Sequence, residues 1–367
     1  MRKKSLLMLF LMVGLTSLSM AAGQIGVFAN FNTNCIQYID PVAQKSSESL
    51  LKGYLGSYAG GLLDVVITSD GKTAIVSNFG DQRLFFIDIS RGFKEMPTLL
   101  DKNGTRIPIF AEDLELTPDD KYVLVTDGGF TPTISVVDVS TRKLVENRSF
   151  GSRYSNAVSI CPFQGKDGSY IVMTADYFQG KVHVFKLKGT SLEFVRSFNV
   201  LPALPVNISI SPDGYTAIAV SASTHTAPVF EIQDHSNVIR EDEPGGYVLL
   251  PYIGAQSCVF SQDSRQAYYL SNSMVHPTNI LVLDVSDPGS VKFSGKSIQV
   301  HPKRGISQLF GVDTVALDPS GNYLYVSNPT IPGNARISIV DVVSHQQIGY
   351  IQGYGMPAGI AFSPHED

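Results

Sequence analysis

Carboxylates and amides stand at the starts of apolar runs all along this chain of 367 residues. Asp64 opens DVVIT, Asp113 follows Glu112 and opens DLELT, and Asp313 opens DTVALD. Asn156, Asn207, Gln256 with Ser257, Thr314 and Ala358 hold the matching places in other runs. Hard divalent cations prefer carboxylate and carbonyl oxygen, so Asp64, Asp113 and Asp313 are the candidate metal contacts if folding brings them together. A cation held there can polarise a carbonyl. The plainer reading is that these side chains line a water-filled channel and satisfy strand ends.

Basic and aromatic partners are expected on the same face. Arg153 and Tyr154 precede Asn156, His225 and His276 follow strand-like runs, and His301 and Arg304 lie in the long stretch HPKRGISQLFG. A histidine titrates near neutral pH and suits general acid–base work, which makes His276, His301 and Arg304 the candidate acid–base or anion-binding groups. An isolated histidine is more often a plain surface residue. His183, inside KVHVFKL, reads as a strand residue without a chemical role. His235 and the run Glu241-Asp242-Glu243 are expected on the opposite face, in a long insertion of the fourth blade, with the acidic run solvated. The chain has no GxSxG elbow, HExxH, P-loop, dinucleotide glycine fingerprint or EF-hand loop.

The elements that must position these residues are repeated. A turn of the type Ser/Thr-Pro-Asp-Gly occurs as TSDG (68–71), TPDD (117–120), GKDG (165–168), SPDG (211–214), SQDS (261–264), DPSG (318–321) and SPHE (363–366). The turns are 45 to 57 residues apart. A short apolar run precedes each turn. Another follows and ends in Asn or Asp, as in TAIVSN, YVLVTD, AYYLSN and YLYVSN. Those terminal residues, Asn30, Asn78, Asp127, Asp176, Asn272 and Asn328, are read as shaping the loop that follows, and Ala222 breaks the series. A third run and a more polar fourth complete each unit. Runs rich in Val, Ile, Tyr and Phe between Gly, Pro, Asn, Asp and Ser are strands. Seven units of four strands predict an all-β, seven-bladed propeller of antiparallel blades. The chain ends on a first strand, PAGIAFS, and its amino-terminal part begins with a second and third, so those ends should share one blade and close the ring.

LYVSN (324–328), followed by ISIVDVVSHQQIGYIQGYGMPAGIAFSP, resembles the YVTN-repeat seven-bladed propellers, a group overlapping lactonase-like and haem d1-type propellers. The resemblance covers nearly all of the chain beyond its first residues. The lactonase-like branch implies ring-ester hydrolysis with charged groups at the central mouth. The haem d1 branch implies haem-associated electron transfer, though no histidine here sits in an axial-ligand motif. The absence of tryptophan argues against WD40 repeats.

Residues 1–22 read as a signal peptide: Arg2, Lys3 and Lys4, an apolar run from Leu6 to Leu18, then Ser-Met-Ala-Ala. Residues 23–367 read as one propeller domain. Losing three basic residues with the leader shifts the formal charge from −5 to −8, an acidic balance unsuited to nucleic acid. Cys35, Cys161 and Cys258 are widely spaced and read mainly as buried strand residues. No later run is long enough to span a bilayer. The reading is an exported protein, periplasmic or secreted. It binds a small molecule or protein partner at a channel mouth formed by Asp64, Asp113, Arg153, Tyr154, Asn156, Asn207, Gln256 and Asp313. A lactonase-like hydrolase is the alternative, and a divalent cation is the one candidate cofactor.

Overall fold

The repeated turn is built by its own side chains. In a computed structural model that describes residues 25–57, 61–129, 132–150, 157–240, 246–273, 276–301, 314–328 and 336–363, Thr68 Oγ1 donates to Asp70 Oδ1 at 2.7 Å. Thr117 does the same to Asp119 at 2.8 Å, Ser211 to Asp213 at 2.6 Å and Ser261 to Asp263 at 2.6 Å. Each aspartate also accepts the backbone N–H two residues on, from Lys72, Lys121, Tyr215 and Arg265. The fourth residue lies in the left-handed region, with φ of 67° at Gly71, 73° at Gly214 and 71° at Gly321. Glycine adopts that conformation without steric cost. Where glycine is missing, Asp120 (φ 54°) and Ser264 (φ 58°) take its place. Their side chains accept the backbone N–H of Ser69 and Asp213 in the preceding turn, so each ties two neighbouring units together.

Between the turns lie seven antiparallel sheets. Blade 1 joins Pro357–Phe362 to Gly26–Asn30, Cys35–Asp40 and Lys45–Ser46. The inner strands of blades 2 to 7 are Leu62–Ile67, Ala111–Leu116, Ala157–Gln164, Pro205–Ile210, Ala255–Phe260 and Val315–Leu317. Second, third and outer strands follow in chain order, and the outer strand is split in two in blades 2 and 5. Helix is confined to two single 3-10 turns, Gly92–Lys94 and Pro288–Ser290, among the described residues.

The inner strands touch in a cycle, each against the next and Val315–Leu317 against Pro357–Phe362. Seven buried apolar clusters fill the seven seams. Phe86 and Ile109 belong to the seam between blades 2 and 3, and Tyr325 and Ile360 to that between blades 7 and 1. A blade alone would leave both its faces wet, so apolar burial at the seams drives closure. The predicted interlock is present: Gly26 pairs with Phe362, Val27 with Ala361 and Phe28 with Ile360. Ser363 extends it, its Oγ accepting the Ile25 N–H at 2.9 Å and its own N–H meeting the Ile25 carbonyl at 2.8 Å.

All three cysteines are buried and unpaired, in line with their strand positions. Residues 1–22, expected to form the leader, lie outside the described residues. Among the described residues no helix is long and apolar enough to cross a membrane.

Candidate functional site

Among the described residues, five inner strands carry a β-bulge near their starts. In blade 2 the pairing steps from Leu62↔Asn78 to Val65↔Val76, and in blade 3 from Ala111↔Asp127 to Leu114↔Val125. Blades 5, 6 and 1 repeat the step between Pro205 and Asn207, Ala255 and Ser257, and Pro357 and Ile360. An extra residue kinks the strand and re-aims the next side chain. The bulge sorts the expected entry residues into two levels. Glu112, Gln256 and Ala358 stand at the extra residue. Asp64, Asp113, Asn207, Ser257 and Thr314 stand one step further in, level with Ala157 in blade 4 and Gly359 in blade 1. The Asp64 and Thr314 N–H groups donate to matching second-strand hydroxyls, Ser77 at 2.9 Å and Ser327 at 2.7 Å, which fixes the equivalence.

At this level side chains cross from blade to blade. Asp64 Oδ2 accepts the Leu114 N–H at 2.9 Å, and Asp113 Oδ2 accepts the Val158 N–H at 2.8 Å. Asp64 and Asp113 stand close enough for their charges to interact. Two residues on, Glu115 is bonded to the Ile160 amide. Ser159 Oγ accepts the Ile210 N–H at 3.2 Å, and Ser209 Oγ donates to the Cys258 carbonyl at 2.7 Å. Glu115, Ser159 and Ser209 were not singled out from the sequence, because they read as ordinary strand residues. Their two-residue offset from Asp113, Ala157 and Asn207 is the signal that could have found them.

The electrostatics follow from enclosure. Burial among protein atoms raises Asp64 and Asp113, and their mutual repulsion raises Asp113 further. Burial, helped by the nearby Asp64 charge, pushes Glu115 up to about 8. Glu112 is also pushed up to about 8 by burial, with Asp127 as its charged neighbour. All four residues keep some contact with channel space, and water there moderates these shifts without reversing their direction.

Among the described residues the opposite arc is neutral: Ala157, Asn207, Ser257, Val259, Ala316 and Ala361. A cavity of about 830 Å³ lies on this arc at the end carrying the repeated turns. Val259, Phe260, Ala316, Leu317, Ala361 and Phe362 line it, together with the buried Asp318 and Ser363.

Arg153, Tyr154, Asn156, Arg304 and Asp313 lie outside the described residues, as do the side chains of His276 and His301. Asp64, Asp113 and Asn207 share one level, with Gln256 at the bulge above. Among the described residues no three His, Cys, Asp or Glu side chains are gathered to hold a metal ion, and Asp64 and Asp113 already accept backbone amides. His225 Nδ1 faces the Leu250 carbonyl at 3.1 Å, away from the carboxyl arc. His235 lies beside the turn of residues 211–214, as expected, with Nε2 3.1 Å from the Asp213 carbonyl.

Asn78, Asp127 and Asp176, at the ends of second strands, brace the loops that follow. Asn78 accepts the Asp81 N–H at 2.9 Å, Asp127 that of Gly129 at 2.8 Å and Asp176 that of Gln179 at 3.0 Å. All three are buried.

No protein-family model matches the chain, and no curated protein matches it in sequence. Solved structures do match its fold. A functionally unknown protein from Desulfotomaculum acetoxidans DSM 771 is 19% identical with a TM-score of 0.76, over 94% of this chain and 100% of that one. The periplasmic gluconolactonase PpgL of Pseudomonas aeruginosa is 16% identical with a TM-score of 0.67, over 93% and 99%. Apo AztD from Citrobacter koseri is 13% identical with a TM-score of 0.58, over 93% and 98%. At these identities the likeness establishes the seven-bladed propeller and leaves the activity to the chain's own residues.

Proposed function

We propose that this chain is an exported binding protein that takes a small polyhydroxylated ligand at the channel mouth. The observation that carries the reading is the carboxyl arc of Asp64, Asp113, Glu112 and Glu115 on two adjacent blades. Three of these groups are pinned by backbone amides of the next blade, so they meet a ligand as fixed acceptors without losing side-chain freedom. Glu112 and Glu115 are largely protonated at neutral pH, so the arc offers donors as well as acceptors. Such a wall suits hydroxyl-rich neutral molecules better than bare cations, which would first have to displace those protons.

The test is calorimetric titration of the mature protein with a panel of sugars, sugar acids and sugar lactones, repeated on Asp64→Asn and Asp113→Asn. Saturable binding lost in both variants supports the reading. Unchanged binding moves the site elsewhere.

A lactonase-like hydrolase is the second reading, and Glu112 favours it. A carboxyl that keeps its proton to about 8 can act as a general acid at neutral pH, and the fold is shared with a gluconolactonase. Glucono-lactone hydrolysis followed by pH-stat, before and after chelation and in Glu112→Gln, separates the two readings. Turnover lost in Glu112→Gln replaces the binding reading, and sensitivity to chelator adds a metal to it.

A further inference from the structure

Blade 4 carries a second constellation, remote from the carboxyl arc and independent of the function proposed for it. Its second, third and outer strands are Tyr170–Asp176, Lys181–Lys188 and Ser191–Asn199. Their register sets His183 opposite Thr174 on one side and Ser197 on the other, with Asp176 diagonally placed at the strand end. His183 Nε2 lies 3.2 Å from Asp176 Oδ2, and His183 Nδ1 lies 2.7 Å from Ser197 Oγ. Asp176 is fully buried, His183 is 4% exposed and Ser197 lies open at the blade's rim.

Valence fixes the roles. An ionised carboxylate only accepts, so Nε2 carries the hydrogen that meets Asp176. In the neutral ring Nδ1 then holds a lone pair and accepts the Ser197 O–H. Asp176 is itself fixed by the Gln179 N–H at 3.0 Å. Phe150 stands edge-on to the imidazole at 5.1 Å and Phe194 lies at 6.4 Å, so the ring works in an apolar surround where its hydrogen bonds are strong. We propose that Ser197, His183 and Asp176 form a nucleophile–base relay that hydrolyses small activated esters. The ring is turned relative to the usual serine triad, where Nε2 faces the nucleophile, but the order of roles is the same.

The surroundings supply the remaining parts. The outer strand is the last of its blade, and in an edge strand alternate backbone N–H groups point away from the sheet, the kind of donor an oxyanion uses. A bulge between Phe194 and Arg196 kinks the strand two residues before Ser197. Phe194, 43% exposed, offers an apolar platform for a short acyl group.

In the reaction Ser197 Oγ attacks the ester carbonyl while its proton passes to His183 Nδ1. The tetrahedral intermediate collapses, the bond to the alcohol oxygen breaks, and that oxygen takes the proton from His183. Water then attacks the acyl-serine with His183 again as base. The acid leaves and Ser197 is restored.

The test uses the full mature protein with p-nitrophenyl acetate and with a fluorophosphonate probe located by mass spectrometry. The expected result is labelling at Ser197 and ester turnover that falls on the order of 100-fold or more in Ser197→Ala. Ser197 is exposed, so the variant is expected to keep the fold, which its melting temperature checks. Ser197→Cys should regain an acylatable group at the same position. Asp176 positions His183, and Asp176→Asn should flatten the pH profile of labelling beyond any loss of melting temperature. An unlabelled Ser197, or turnover unchanged in Ser197→Ala, overturns the proposal.

Discussion

The Asp64 carboxylate in blade 2 accepts the Leu114 backbone N–H in blade 3 at 2.9 Å. Asp113 repeats the bond to Val158 one blade further on. The carboxyl groups of the channel wall are therefore also cross-blade ties. Their protonation bears on stability.

Stability should depend on pH through Glu112 and Glu115. Both are raised from 4.5 to about 8 in the fold, so the fold favours their protonated forms. Their contribution is complete below the unfolded value and is lost as pH rises through about 8. Surface aspartates such as Asp119 and Asp263 are lowered, and they act in the other direction below pH 4, weakly because they are solvated. The melting temperature should be higher at pH 5.5 than at pH 9, and Glu115→Gln should reduce that difference. A melting curve that is flat from pH 5 to 9 contradicts the assignment.

Closure depends on the last strand. Deleting residues 357–367 removes the inner strand of blade 1 and bares the edge of Gly26–Asn30. The expected product is an aggregating or partly unfolded chain with no sharp thermal transition. A monomer that melts as the full chain does would disprove the interlock.

Gly359 packs directly on Asp64. A Cβ there would sit 2.5 Å from Asp64 Oδ1 and 2.6 Å from its Cα, so the backbone must give way. Gly359→Ala should cost about 1–3 kcal/mol, typical of overpacking. Urea titration measures this directly.

The seams should dominate the energetics. Phe86 is fully buried between blades 2 and 3. Phe86→Ala is expected to cost about 3–5 kcal/mol in chemical denaturation, whereas Val343→Ala, at a residue 79% exposed, should stay within about 0.5 kcal/mol.

Asp120 both occupies a left-handed position and binds the preceding turn. Asp120→Gly trades the lost hydrogen bond for relief of backbone strain and should be nearly neutral. Asp120→Ala loses the bond and keeps the strain, at a cost of about 1–2 kcal/mol. Equal melting temperatures for the two variants would remove the strain argument.

The blade count, the turn chemistry and the shared first blade were legible in the sequence because each is local. A turn aspartate bonds two residues away, a strand alternates by twos, and a missing first strand at one end matches a surplus one at the other. The assignment of Asn78, Asp127 and Asp176 to loop shaping was legible for the same reason. The composition of the channel wall was not. A single bulge residue moves Gln256 off the level and puts Ser257 on it, and run-starts alone do not reveal that step. Nor did the sequence mark Glu115, which looks like any strand residue until the next blade offers it an amide. His183 read as a passive strand residue, yet the register of three strands sets it between Asp176 and Ser197. Sequence fixes what each residue can donate or accept within a few positions of itself. Which groups meet across blades is decided only when seven sheets pack, because those partners are about fifty residues apart and only closure of the ring brings them within hydrogen-bond distance.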